Sequence, residues 1–255
     1  MVPRYRCQTC HDAGVVFSRE EDGIEYYRRC DCQELRGMER RLSFAAIPKE
    51  FADYTVDSFA LGLYRSPEDR EKAEMAKLLC QRYVDGFRDI RETGKGLYLF
   101  SLAKGSGKTR MAASIANDII TRHRMAARFA TALQILDEIR KNWDGRGSGA
   151  MGPGRGFLED IVQVPVLVVD DIGVEKQSPW VNEKLYEIIN GRMIQKQVTV
   201  FTSNCRMEEL PLDERITNRI MKMAVPVPFP EESVRTSLAK AENRDFYNRI
   251  LGGTV

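Results

Sequence analysis

A chain of 255 residues with 43% hydrophobic and 30% charged residues is long enough to bury one sizeable core and a small appendage. No apolar run approaches the ~20 residues that span a bilayer, and the opening MVPRYRCQTC has no apolar signal region, so a cytoplasmic protein with no membrane role is expected. The net charge of +2 excludes a strongly basic surface, so any nucleic-acid contact must come from a local patch.

The first feature along the chain is a set of thiols: Cys7 and Cys10 as C-x-x-C, then Cys30 and Cys32 as C-x-C. Two close pairs so separated have the spacing of a structural zinc knuckle, and a reducing cytoplasm disfavours the disulfide alternative. A segment of ~40 residues builds too little core to fold unaided, so Zn2+ would supply much of its folding free energy. Cys7 to His11 also satisfies the C-x-x-C-H pattern of haem attachment. That chemistry needs export and leaves Cys30 and Cys32 unused, so His11 is read as an exposed knuckle residue, with a substitute ligand as the lesser alternative. Cys80 and Cys205 are read as structural. Residues 1–45 hold eight arginines and eight acids, a balance that leans toward a protein partner, although Arg28 with Arg29 and Arg40 with Arg41 leave nucleic acid open. ERRLSFAAIPKEF then reads as a tether, giving a zinc-binding domain over 1–45 and a larger domain over 46–255.

Between Pro67 and Arg91, apolar residues at Ala76, Leu79, Tyr83, Phe87 and Ile90 predict one buried helix face. GLYLFSLAKGSGKT follows, from Gly96 to Thr109, an apolar strand running into a glycine-bracketed turn. Nucleotide phosphates need several backbone N–H groups pointing inward, and Gly105 and Gly107, flanking Ser106, remove the side chains that would block so close an approach. Lys108 supplies a mobile cation for the β and γ phosphates, Thr109 a hydroxyl for Mg2+, and the helix that begins here its positive dipole end. Leu102 stands where this pattern normally has its first glycine, and is expected to alter the turn's backbone angles and weaken nucleotide affinity. ARFAT at Ala127 to Thr131 predicts a short strand, with a helix near Ala132 to Asn142. The glycine-rich stretch from Trp143 to Gly156, with Arg146 and Arg155, predicts a mobile loop, either a tolerated insertion or a contact to DNA backbone.

VPVLVVDDI, Val164 to Ile172, is a strand covered on both faces and closed by two acids. Two carboxylates at a strand end are costly without a cation, so Asp170 is assigned to Mg2+ and Asp171 to the attacking water; a solvated acidic turn is the competing reading. Val181, Leu185, Ile188 and Ile189 predict the next buried helix face. VTVFT, Val198 to Thr202, is a third strand; Asn204 beyond its carboxyl end can touch the γ phosphate or the lytic water. VPVPF, Val225 to Phe229, is a weaker strand placed at an edge by its prolines. Strands alternating with helices predict an α/β fold of the ASCE type: a five-stranded, mainly parallel sheet with helices on both faces.

Over most of its length the chain resembles the DnaC/DnaI family of replicative helicase loaders within the AAA+ superfamily. CQTCHDAG with CDCQ resembles the zinc-binding N-terminus of the DnaI-like branch. AAIPKEFADYTVDSF is similar to the segment that leads into the family's ATPase, and VLVVDDIGVEKQSPWVNEKLYEIINGRM to its Walker B region. TSN at Thr202 to Asn204 matches sensor one, and DERITNRI at Asp213 to Ile220 the arginine-finger helix. The resemblance implies an ATPase in which Arg219, with Arg215 second, reaches a neighbouring subunit's nucleotide, while Arg235 is sensor-two-like. It further implies a DnaB-type helicase as partner of the zinc knuckle, self-association into a ring or spiral, and single-stranded DNA contacts from the helix at Ala132 to Asn142. Asp171 stands where many AAA+ proteins have glutamate, which implies slow hydrolysis. An IstB-like transposition ATPase, a helicase adaptor or inhibitor with little turnover, and a zinc-dependent DNA-binding regulator are the alternatives.

Overall fold

A computed structural model describes residues 5, 7–143 and 155–251. Arg146 and most of the expected glycine-rich loop lie outside the described residues, whereas Arg155 opens a helix.

The N-terminal part is a hairpin of β1 (Val15–Glu21) and β2 (Ile24–Arg29), followed by helix α1 (Cys32–Ala45). The two-residue turn is Asp22-Gly23, both with positive φ (52° and 76°), the backbone that matches the twist of paired strands. Helix α1 bridges the two parts of the molecule. Its first residue is Cys32, and its last, Ala45, is fully buried in the main core. Arg124 pairs with Glu34 at 2.9 Å, and Arg128 donates to the Phe44 carbonyl while lying over its ring.

The remaining elements run α2 (Pro67–Asp85), α3 (Phe87–Ile90), β3 (Gly96–Phe100), α4 (Lys108–His123), β4 (Ala127–Thr131), α5 (Ala132–Trp143), α6 (Arg155–Gln163) and β5 (Val166–Asp170). They continue α7 (Pro179–Ile194), β6 (Val198–Ser203), α8 (Glu214–Met223), β7 (Ala224–Pro228) and α9 (Val234–Leu251). The five strands pair in the order β4-β5-β6-β3-β7, all in parallel. β7, with Pro226 and Pro228, is an edge strand as expected of residues that cannot donate to a ladder.

Alternation along the strands divides the core in two. Leu97, Leu99, Val166, Val168, Val198 and Val200 face a layer that includes α2 and α4; Tyr98, Leu167, Val169 and Phe201 face α5, α7 and α8. Helix α2 starts at Ser66, whose hydroxyl accepts the Asp69 N–H, with Pro67 at the first helical position. Its buried stripe is Ala73, Ala76, Cys80, Tyr83 and Val84; Ala76 and Tyr83 are buried as expected, as is Phe87 beyond the helix, and Leu79 is the departure. Leu79 is 40% exposed, because Cys80 takes the core-facing position, and Gly86 ends the helix before Phe87 and Ile90, which form α3. Val181, Leu185, Ile188 and Ile189 of α7 are all buried as expected. No helix among the described residues is long and apolar enough to cross a membrane.

Arg192 carries a charge into this core. It is fully buried and, among the described residues, has no carboxylate partner; its guanidinium donates to the carbonyls of Ile161, Val162, Val164 and Val198 and to Thr199 Oγ1. It ties the end of α6 to the starts of β5 and β6, where chain ends leave carbonyls unpaired. Arg192→Met keeps the volume but orphans those acceptors, and is expected to cost about 3–5 kcal/mol in urea unfolding. A loss below about 1 kcal/mol would show that water satisfies them equally well.

Candidate nucleotide and metal sites

A cleft of about 730 Å3 opens at the carboxyl ends of β3, β5 and β6, where open parallel sheets bind ligands. Gly105, Ser106, Gly107, Lys108 and Thr109 form one side; Asp171 and Asn204 reach in from the other strands, and Arg235 from the start of α9. Positive φ in the turn falls on Gly105 (79°) and Gly107 (94°) and not on Leu102. The expected distortion at Leu102 is therefore absent: its backbone is one that any L-residue adopts, and its side chain is 55% exposed. Space also demands glycine. A Cβ on Gly107 would lie 3.0 Å from Phe59 and Tyr64, and one on Gly105 would lie 2.7 Å from Ser233 Oγ and 2.9 Å from Arg235 Cβ.

Lys108 is buried and folds back over the turn, its Nζ donating to the Ala103 carbonyl (3.0 Å), to Ser106 Oγ (3.3 Å) and to the Ser101 carbonyl (3.4 Å). Burial pushes its pKa down, against the pull of Asp171, Glu231 and Asp170. Asp170 lies behind the cleft, 4% exposed, accepting the Thr202 hydroxyl at 2.6 Å. Burial raises its pKa, opposed by hydrogen bonds from Thr202 and Thr109. A buried carboxylate beside a second acid and the Thr109 hydroxyl is a donor set of hard oxygens that fits Mg2+. Asp171 is held with positive φ (54°) by its own N–H on Thr202 Oγ1 and by the next residue's N–H on the Thr202 carbonyl.

Arg215 and Arg219 are not brought into the cleft of their own chain. Both lie on α8 against the Tyr186 ring of α7. Arg219 donates to Asn190 Oδ1, the Arg215 carbonyl and the Tyr186 hydroxyl; Arg215 pairs with Asp213 and its side chain is 72% exposed.

Some of the cleft's makers escaped sequence reasoning. The open side is lined by Tyr54, Phe59 and Tyr64, with Arg110 stacked over Tyr54 at 4.3 Å and the Tyr64 hydroxyl donating to the Ser106 carbonyl at 2.8 Å. These aromatics follow no helical or strand period; Tyr54 and Phe59 fall in the AAIPKEFADYTVDSF segment ahead of β3, whose likeness to the family's entry segment does not by itself assign them to the cleft. Glu175 was missed too. It is 5% exposed, accepts the Gly173 N–H through Oε2, and its Oε1 meets no hydrogen-bond donor among the described residues.

The four expected metal ligands do converge: the sulfurs of Cys7, Cys10, Cys30 and Cys32 lie within 4.8 Å of one another. The close pairs, Cys7 with Cys30 at 3.7 Å and Cys10 with Cys32 at 3.4 Å, approach the ~3.8 Å edge of a tetrahedron built on Zn–S bonds of about 2.3 Å. The set therefore fits Zn2+. His11 is exposed, stacks on Tyr5 and stands outside the set.

The β4-β5-β6-β3-β7 order of the parallel sheet, the glycine-bracketed turn and the acid-ended strand define a P-loop nucleotide-binding protein of AAA+ type. The model of the IstB-like ATP binding proteins matches residues 33–236, and the chain belongs to that family. It is 25% identical over 241 residues to the replicative helicase loader DnaI of Bacillus subtilis, covering 88% of this chain and 73% of DnaI. It is 28% identical over 143 residues to the replicative helicase loader DnaC of Escherichia coli, covering 55% of each. The crystal structure of the DnaC helicase loader superposes with a TM-score of 0.61 at 23% identity, over 71% of this chain and 99% of that one.

Two outcomes test this geometry. Burial raises the Glu175 carboxyl above its ordinary 4.5, so the folded state holds that proton more tightly than the unfolded state does. The associated stability is complete below 4.5 and is lost as pH rises through the folded-state value. Glu175→Gln, which keeps an acceptor for Gly173, should flatten that loss, so thermal melting at neutral pH should favour the variant and at pH 4 should not. In native mass spectrometry the chain should carry one Zn2+, and Cys30→Ser should lose it under conditions where the wild type retains it.

Proposed function

We propose that this chain is an ATP-dependent loader that binds a DnaB-type replicative helicase and places it on single-stranded DNA during replication initiation. The observation that carries the reading is the pairing, on one chain, of a phosphate-loop cleft with a four-cysteine N-terminal module, in a protein whose similarity to DnaI spans 88% of its length.

Backbone N–H groups of residues 105–109 and Lys108 would hold the phosphates, and Thr109 and Asp170 the Mg2+. Bound ATP supplies a γ phosphoryl group whose hydrolysis can drive release. Asp171 would orient the attacking water and Asn204 its position near the γ phosphate, with Arg235 contributing charge from the same chain. Arg215 and Arg219, outside their own cleft, suit an arginine supplied to a neighbour in a ring or spiral assembled on the helicase. Asp171 reaches about one methylene less far than glutamate, so turnover is slow. The module over residues 1–45, with Zn2+ on its cysteines, would contact the helicase, and α5 the single-stranded DNA. Such work belongs in the cytoplasm.

The test combines the chain with its cognate helicase, with and without ATP, and measures complex formation and turnover. A stable complex is expected, with Lys108→Ala losing ATP binding and Arg219→Ala retaining it while turnover falls about a thousandfold or more. Absence of any complex from zinc-loaded protein would overturn the loader reading. Turnover no faster in the wild type than in the variants would favour a helicase adaptor, and duplex-stimulated turnover with a transposase an IstB-like transposition role.

A further inference from the structure

The segment from Pro230 to Arg235, between β7 and α9, is fastened to the phosphate-binding turn at four places. Ser101 Oγ donates to the Pro230 carbonyl at 2.7 Å. The Glu231 carboxylate accepts the Ala103 N–H at 2.8 Å and the Leu102 N–H at 3.2 Å, one on each oxygen. The N–H groups of Val234 and Arg235 converge on the Gly105 carbonyl at 3.0 and 3.3 Å. Behind this, the Glu231 N–H donates to Asp69 Oδ1 at 2.7 Å, and Glu232 Oε2 accepts the Arg65 N–H at 2.8 Å, anchoring the segment to the start of α2.

We infer that Glu231 is a positioning residue for nucleotide binding: its carboxylate holds the first half of the phosphate-binding turn so that the second half keeps its N–H groups aimed into the cleft. The chemistry divides the turn. Leu102 and Ala103 are satisfied by an anion that belongs to the chain, whereas residues 105–109 line the cleft. Lys108 completes the hold, since its Nζ takes the carbonyl of the same Ala103 whose N–H Glu231 takes. When Lys108 turns to a phosphate it releases that carbonyl, and Glu231, together with the Ser101 hydroxyl that accepts the same Ala103 N–H at 3.1 Å, remains as the polar restraint on Ala103. The clamp also accounts for Leu102. A turn held by two carboxylate hydrogen bonds, with no positive φ at its first position, does not need glycine there.

The inference rests on reading this turn as phosphate-binding, and the sign of one effect separates clamp from charge. Glu231 also acts electrostatically on Lys108. If charge were its whole contribution, removing it would tighten the binding of an anionic ligand. Loss of the clamp must weaken it. With a non-hydrolysable ATP analogue and Mg2+, Glu231→Ala is expected to bind about tenfold more weakly than wild type, the change that corresponds to about 1.4 kcal/mol. Glu231→Gln, which loses the charge and keeps an acceptor for one of the two amides, should bind more tightly than Glu231→Ala. Amide exchange at Leu102 and Ala103 in the nucleotide-free protein should accelerate in the alanine variant and less in the glutamine variant, at similar melting temperatures. Equal or tighter binding by Glu231→Ala, or unchanged exchange at both amides, overturns the inference. If the wild type itself fails to bind the analogue, the nucleotide reading falls, and exchange at Leu102 and Ala103 still decides whether Glu231 holds the turn.

Discussion

A short turn between β3 and α4 has to present several backbone N–H groups to one small volume, and most of the molecule is arranged around that demand. Presenting them requires positive φ at Gly105 and Gly107, and it leaves no room for side chains there. Neighbours approach from three sides: Phe59 and Tyr64 from the linker, Ser233 and Arg235 from the start of α9, and Asp171 and Asn204 from adjacent strand ends. A loosely held turn would lose this aim, so its remaining polar groups are tied down. The Tyr64 hydroxyl takes Ser106, Glu231 takes Leu102 and Ala103, and two N–H groups take Gly105.

Helix α4 carries the turn's position away from the cleft. Its Arg110, Asn117 and Asp118 hold the backbone of the linker: Arg110 on the Ser58 carbonyl, Asn117 on those of Phe51 and Tyr54, Asp118 on the Val56 N–H. That linker leads back to α1, whose ends belong to the cysteine cluster and to the main core. The two halves of the proposed function, nucleotide binding and partner contact, thus share a continuous path of packed and hydrogen-bonded structure. Arg192 does a comparable task on the opposite layer, where its fixed fork joins α6, β5 and β6 through carbonyls that a smaller donor could not reach together.

Legibility followed the range of the interactions. Strands buried on both faces announce themselves as apolar runs, so β3, β5 and β6 could be placed from LYLF, VLVVD and VTVFT. The Cys7, Cys10, Cys30 and Cys32 set was legible because thiols are scarce and their spacing is local. Leu79 was misplaced because a helix stripe shifts by 100° per residue, and Cys80, one position on, is an equally good apolar group for the tighter site. The hairpin β1–β2 has a local signal in Asp22-Gly23, but its strands are exposed on both faces and lack the apolar run that marks β3, β5 and β6.

The sequence by itself determined the sheet's central strands, the glycine turn, the acid-ended strand and the thiol set, because each is a pattern of neighbours whose chemistry needs no distant partner. Tertiary structure alone decided that Leu102 sits in backbone without positive φ, that Glu231 reaches back more than a hundred residues to hold it, and that Arg215 and Arg219 stand outside their own cleft. It also decided which aromatics wall the nucleotide site. The physical reason is the same throughout: a hydrogen-bond donor or a buried face states what it needs, but the chain's path decides which acceptor or surface arrives to meet it.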